Sequence, residues 1–152
     1  MTLKIGDKAP DFILLTETGE QIKLSKLRGK KVVLYFYPKD NTPGCTQESC
    51  DFRDHFAIFK KHGAEIFGIS KDDAKAHVNF KEKYNLPFPL LVDDEAEVSA
   101  AYGALGKKSM FGKSYMGIIR STFLIDEKGV IRAIWRKVKV SGHVEQILNE
   151  LN

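Results

Sequence analysis

The run Val32-Val33-Leu34-Tyr35-Phe36-Tyr37 passes directly into Pro38-Lys39-Asp40-Asn41-Thr42-Pro43-Gly44-Cys45. An unbroken apolar stretch rich in β-branched and aromatic residues calls for a strand covered on both faces, inside an α/β sheet. The prolines and glycine that follow end the strand and turn the chain. Pro43 biases Thr42 away from helical dihedrals, which an N-cap needs, and proline itself suits the first helical position. The turn therefore predicts a helix with Thr42 as N-cap and Pro43, Gly44 and Cys45 as its first three residues. A sulfur stands where a capping carboxylate would normally sit. The unpaired N–H groups and positive dipole end at that place favour thiolate over thiol. Gly44 adds no side chain, so a small substrate has room to approach the backbone and the sulfur.

Cys45 and Cys50 are the only two cysteines of the chain. Phe52, Phe56 and Phe59 recur at helical spacing and predict a helix running to about His62 with those rings inward. Cys45, two turns before Phe52, falls on that inward stripe, whereas Cys50 lies roughly 160–200° around the axis. Five helical residues also rise about 7.5 Å. A disulfide requires Cα atoms within about 7 Å and converging Cβ vectors. The pair cannot bridge while the helix is intact. Thr46, Ser49 and Asp51 are middling-to-poor helix formers, which lowers the cost of unwinding the first turns.

Elsewhere strands and helices alternate without repeats or low-complexity linkers. Residues 11–15 and 21–24 flank Thr18-Gly19-Glu20 as an N-terminal β-hairpin. Residues 64–70 and 88–92 read as strands, 73–84 and 95–102 as helices. Residues 121–125 and 130–136 bracket the turn Asp126-Glu127-Lys128-Gly129, and 141–151 closes the chain as a helix with Ser141 as N-cap. This order implies a central mixed sheet flanked by helices on both faces, which a thioredoxin-like fold fits best, although other α/β sandwiches share it.

At 152 residues the chain is expected to form one domain spanning 1–152. With 43% hydrophobic and 29% charged residues it has an ordinary globular composition. Its net charge of +4 comes from basic residues interleaved with acids, as in Lys71-Asp72-Asp73, and no basic stripe with interleaved aromatics points to nucleic acid. No apolar leader opens the sequence and no stretch reaches membrane-spanning length, so a cytoplasmic protein off the membrane is expected. Two close cysteines in that setting suggest redox chemistry more than a structural staple. Cys45, Cys50, His55 and His62 are badly spaced for a zinc site, so neither a metal nor a cofactor is expected. His55, His62, His77 and His143 have no acid or nucleophile partner nearby in sequence and read as surface or helix residues.

The string Pro38-x-x-x-Thr42-x-x-Cys45 resembles the active-site motif of the peroxiredoxins, thiol peroxidases on a thioredoxin-like fold. With Cys50 added, it is similar to the peroxiredoxin Q branch, also called bacterioferritin comigratory protein. Two further segments extend the resemblance over nearly the whole chain: Gly6-Asp7-Lys8-Ala9-Pro10-Asp11-Phe12, and Gly112 to Gly117 leading into Arg120-Ser121-Thr122-Phe123-Leu124-Ile125-Asp126.

The resemblance implies roles for particular residues. Cys45 matches the peroxidatic nucleophile that becomes a sulfenic acid, and Thr42 the residue whose hydroxyl touches sulfur and peroxide. Pro38 matches the shield against water, and Arg120 the guanidinium that stabilises thiolate and leaving oxygen. Pro38, Thr42, Gly44 and Arg120 would together receive the substrate, hydrogen peroxide or a small organic hydroperoxide. Cys50 matches the resolving cysteine of members that carry it on the same helix, giving an intramolecular disulfide that thioredoxin or a similar dithiol reductant reopens. No third cysteine or extended tail follows the last helix, so resolution in trans is not expected and a monomer is. Glu48 is either a first-turn acid or a support for backbone or Arg120 geometry, and the 110–116 segment either a packed loop or an apolar rim at the site.

Two rivals remain at this level. A thioredoxin-type disulfide reductase would use Cys-x-x-Cys, against which the four-residue gap speaks. A redox sensor would use the Cys45–Cys50 disulfide to alter a surface, and would oxidise once rather than cycle.

Overall fold

The computed structural model describes residues 2–151. Its axis is the apolar strand singled out above, β3 (Lys31–Phe36), whose Val32, Leu34 and Phe36 point to one face of the sheet and Val33, Tyr35 and Tyr37 to the other. The two-residue side-chain period of a strand thus divides one run between two cores. On one side β3 pairs in parallel with β4 (Ala64–Ser70), and β4 in parallel with β5 (Leu90–Val92). On the other side it pairs antiparallel with β8 (Ser121–Ile125), which pairs with β9 (Ile131–Arg136). The N-terminal hairpin of β1 (Ile13–Thr16) and β2 (Gln21–Lys23) attaches through β1 to β5. The seven strands lie in the order β2-β1-β5-β4-β3-β8-β9. This is the mixed sheet of the thioredoxin fold.

One face carries α1 (Pro43–Asp54), α2 (Phe56–Lys61), α3 (Ala74–Tyr84) and α5 (His143–Leu151), which bury Phe52, Phe59, Phe80 and Ile147 against Tyr35 and Tyr37. The opposite core holds Phe12, Leu24, Tyr102, Ile118 and Phe123, with Val98 of the short α4 (Glu97–Ala101) packed on it. Fully burying one such ring removes apolar surface worth about 2–3 kcal/mol. The stacked pair Tyr35–Phe52, at 4.5 Å between centroids, ties β3 directly to α1.

Three expectations change. The helix predicted to run to His62 breaks at His55, where φ/ψ is −107/8. The His55 ring hydrogen-bonds the Asp51 carbonyl at 2.8 Å and so competes for an acceptor the helical ladder needs. The last helix begins at His143, so Gly142, whose carbonyl accepts from Gln146, takes the capping place assigned to Ser141.

Third, the stretch around residues 110–116, to which the sequence assigns no strand, forms a separate two-stranded sheet, β6 (Leu105–Met110) and β7 (Lys113–Ile118). Phe111 and Gly112 both have positive φ, 52 and 78, as a two-residue hairpin turn of the mirror-image kind requires. Phenylalanine stands where asparagine usually marks such a turn, and Met110, Tyr115 and Met116 lie outward, so neither turn residue nor alternation advertised it.

Candidate active site

Thr42 has extended dihedrals (φ −96, ψ 155) and Pro43 opens α1, which puts Cys45 in the first turn as the sequence implied. The Cys45 side chain is turned inward and only 1% exposed, among Tyr35, Tyr37 and Phe52. Cys50 faces the other way and is half-buried, and both thiols are free. Burial, acting first, pushes the Cys50 thiol above its ordinary value. With α1 intact the two sulfurs do not meet, in keeping with the helical geometry.

Arg120 lies in the two-residue step between β7 and β8, and its guanidinium reaches across to α1. Nη2 donates to Cys45 Sγ at 3.4 Å and Nη1 to Glu48 Oε1 at 2.7 Å. One planar group thus touches both sulfur and carboxylate, which the fork geometry of arginine allows and a lysine would not reproduce. The open place beside Gly44 is filled by this arginine: a Cβ built there would stand 3.1 Å from Arg120 Nη2. A side chain at this position would crowd the guanidinium.

Glu48 is completely buried, and its Oε2 has no partner among the described residues. Burial pushes its carboxyl up to about 7, with the Arg120 charge and hydrogen bond holding it from rising further. Its sequence position left two readings open. The 2.7 Å ion pair settles that it braces Arg120. Burial works against the charge of Arg120, but Glu48 and Cys45 outweigh it and the guanidinium stays protonated.

The hydroxyl of Thr42 donates to the Lys39 carbonyl at 2.8 Å, which closes the loop on itself and leaves the oxygen's lone pairs to other partners. Pro38 and Thr42 form one wall of a cleft of about 460 Å³. The facing wall comes from the β6–β7 hairpin: Lys108, Met110, Tyr115, Met116 and Ile118. Met110, Tyr115 and Met116 of the 110–116 segment thus line the cleft beside Pro38 and Thr42, while Phe111, at the turn, is 96% exposed.

Two of the four histidines read as surface or helix residues, His77 in α3 and His143 in α5, are helix residues with partners far along the chain. His77 and His143 are buried. His143 pairs with Thr122 Oγ1 at 2.8 Å and packs on Trp135, and burial drives it down to about 4, so it is neutral at physiological pH. His77 pairs at 2.6 Å with Asp40, inside the active-site loop. The acid is 37 residues away in sequence, so no local pattern announces the pair. Asp40, Asp72 and His77 place three ligand-type atoms within 4.8 Å of one another. The Asp40 and His77 atoms point at each other, however, and are spent on that hydrogen bond.

The arrangement can do one kind of chemistry readily. A buried sulfur in the first turn of a helix faces a fixed cation, an arrangement suited to negative charge at that point.

Known proteins resemble this chain in sequence and fold. The AhpC/TSA family matches residues 5–134. Peroxiredoxin Bcp of Bacillus subtilis is 55% identical over 151 residues, 99% of this chain and 96% of its own. Peroxiredoxin Bcp of Escherichia coli is 44% identical over 149 residues, covering 98% and 96%. Among solved structures, a mutant of Xylella fastidiosa PrxQ superimposes with a TM-score of 0.93 at 37% identity, covering 99% of this chain and 96% of that one. The bacterioferritin comigratory protein of Xanthomonas campestris, described for its alkyl peroxide reduction activity, gives 0.88 at 42% identity and covers 92% and 89%. The chain belongs to the AhpC/TSA family, within its peroxiredoxin Q or bacterioferritin comigratory protein branch, and is a thiol peroxidase.

Proposed function

We propose that the peroxidase cycle runs through Cys45 and Cys50. The Cys45 thiolate attacks one oxygen of ROOH; the O–O bond breaks, ROH leaves after taking a proton, and Cys45 becomes a sulfenic acid. Arg120 stabilises first the thiolate and then the charge developing on the leaving oxygen, a kind of help worth roughly 3–4 kcal/mol for a single well-placed donor. Thr42 offers a hydroxyl to the peroxide, Pro38 keeps water off, and Gly44 leaves the approach open. The first turns of α1 then unwind, and the Cys50 thiol attacks the sulfenic sulfur, forming the disulfide and expelling water. A dithiol reductant of the thioredoxin kind restores both thiols by exchange.

The observation that carries this reading is the 3.4 Å approach of Arg120 Nη2 to a buried sulfur in the first turn of α1. Hydrogen peroxide and small organic hydroperoxides are the proposed substrates. The apolar cleft wall and the alkyl peroxide activity of the Xanthomonas relative both support the second class. A cytoplasmic monomer is the form in which we expect it to act.

The test is one equivalent of hydrogen peroxide added to the reduced protein, followed by intact mass and free-thiol titration over seconds. Loss of two hydrogens with no remaining thiol is expected. Cys45→Ser should abolish peroxide consumption, and Cys50→Ser should oxidise once and then fail to recycle with thioredoxin. Sustained turnover by the Cys45 variant sinks the nucleophile; full recycling by the Cys50 variant removes its resolving role.

A further inference from the structure

Between the active-site loop and α3 lies a buried charged pair that the peroxide chemistry leaves unused. His77 is fully buried, and both ring nitrogens are engaged: Nδ1 with Asp40 Oδ2 at 2.6 Å and Nε2 with the Leu91 carbonyl at 2.9 Å. A carbonyl only accepts, so Nε2 carries a proton. A carboxylate also only accepts, so a second proton sits between Nδ1 and Asp40. The other Asp40 oxygen accepts from the Tyr37 hydroxyl, and the Asp40 backbone N–H donates to Asp72 Oδ2 at 2.9 Å. Ser70 donates to that same Asp72 oxygen. Asp40 is thereby held by the ends of β3 and β4 and by α3 at once.

Asp40 lies two residues from Pro38 and two from Thr42. The Thr42 carbonyl accepts from Thr46 in α1, and the Thr42 hydroxyl closes on Lys39. Any shift of Asp40 therefore passes directly to the residues that shape the cleft and to the turn that presents Cys45.

We propose that His77 is a positioning residue for the peroxide step: its imidazolium clamps the 38–42 loop to β5 through Asp40 and the Leu91 carbonyl, and loss of either ring proton loosens that clamp. A neutral imidazole keeps only one N–H, so a bare lone pair then faces either Asp40 or the Leu91 carbonyl and the buried ring loses one of its two anchors. The groups facing His77 favour the proton. Asp40 comes from the loop, Asp72 from beyond β4 and the Tyr37 phenol from the end of β3, whereas β5 offers only the Leu91 carbonyl. On α3 itself Lys81 is drawn to Glu17, and Lys39 and Lys83 line the cleft outside Asp40. Burial by itself lowers a histidine, but the Asp40 bond and charge, the Leu91 carbonyl and Asp72 outweigh it, so His77 titrates above its ordinary value. The clamp is thus complete below about pH 6.5 and is lost as pH rises through the higher folded-state value.

This inference rests on Cys45 being the nucleophile, but half of its test does not. In the first half, NMR of the imidazole nitrogens in the wild-type protein should show both His77 nitrogens protonated at about pH 6, below the ordinary histidine value. A neutral His77 there overturns the clamp whatever the enzyme does. In the second half, rapid quench from about pH 6 to about pH 10 follows Cys45 oxidation and disulfide formation separately, in wild type and His77→Gln. Wild type should lose oxidation rate along an alkaline limb. The variant should lack that limb and be about 10- to 100-fold slower at neutral pH, as expected for a misplaced but intact site. Its disulfide step should be undiminished. Lys108, lowered by burial and the nearby Arg120 charge, titrates in both proteins and cancels in the comparison. An identical alkaline limb in the variant, or an unchanged neutral rate, overturns the proposal. If wild type itself shows no peroxide oxidation of Cys45, the catalytic reading fails while the NMR result stands.

Discussion

The two walls of the active-site cleft are built on opposite principles. The Pro38–Thr42 wall is anchored by buried polar bonds to β3, β4 and α3, with Asp40 at their centre. The β6–β7 wall is hydrogen-bonded as a sheet only within itself and turns Met110, Phe111, Tyr115 and Met116 to solvent. Buried polar networks tolerate little displacement, because every bond left unmade costs its full desolvation. An exposed hairpin of apolar side chains has no such penalty and can adapt. The rigid wall is where charge must be met at fixed distance; the open wall is where substrates of different size can be accommodated.

Arg120→Lys strikes hardest, at the fixed polar bonds to Cys45 and Glu48 behind the rigid wall. A lysine cannot hold both Glu48 and Cys45, so the second-order rate with hydrogen peroxide should fall about 10²- to 10³-fold. Stopped-flow peroxide reduction measures it, and a loss under fivefold would deny that fixed polar bonds to Cys45, rather than the open wall, carry the chemistry.

Glu48→Gln tests the same side through stability. A carboxyl raised by burial from 4.5 to about 7 binds its proton more tightly in the folded state. Folding stability therefore declines as pH rises across that window, by at most about 3 kcal/mol from this group. Urea unfolding at acidic and neutral pH should show that decline in wild type and its loss in the glutamine variant. Equal slopes in the two proteins would mean that Glu48 ionises as freely as a surface acid.

On the open wall, Met110→Ser combined with Met116→Ser should raise KM for cumene hydroperoxide a few-fold, from roughly 1 kcal/mol of lost apolar contact, and leave hydrogen peroxide kinetics almost untouched. Equal losses with both peroxides would erase the distinction between the walls.

Much of this was legible from residues alone. Unbroken hydrophobicity marked β3, Thr42-Pro43-Gly44 marked the start of α1, and helical spacing put Cys45 inward and Cys50 away. Those signals are local, since they act through dihedral preference and side-chain period over a few residues. The His55 break was hidden because it depends on a ring reaching its own helix carbonyl. The β6–β7 hairpin was hidden because it has no buried face to impose alternation.

Sequence by itself determined the α/β order, the helix-end thiol, the separation of the two cysteines and the branch of thiol peroxidases they belong to. Only the tertiary structure decided what surrounds that thiol. Glu48 as brace, Arg120 in the place beside Gly44, and His77 on Asp40 all join residues 37 to 76 positions apart. Such pairings exist only once the sheet has brought β3, α3 and β8 together, because charge and hydrogen bonding act through space and leave no periodic trace along the chain.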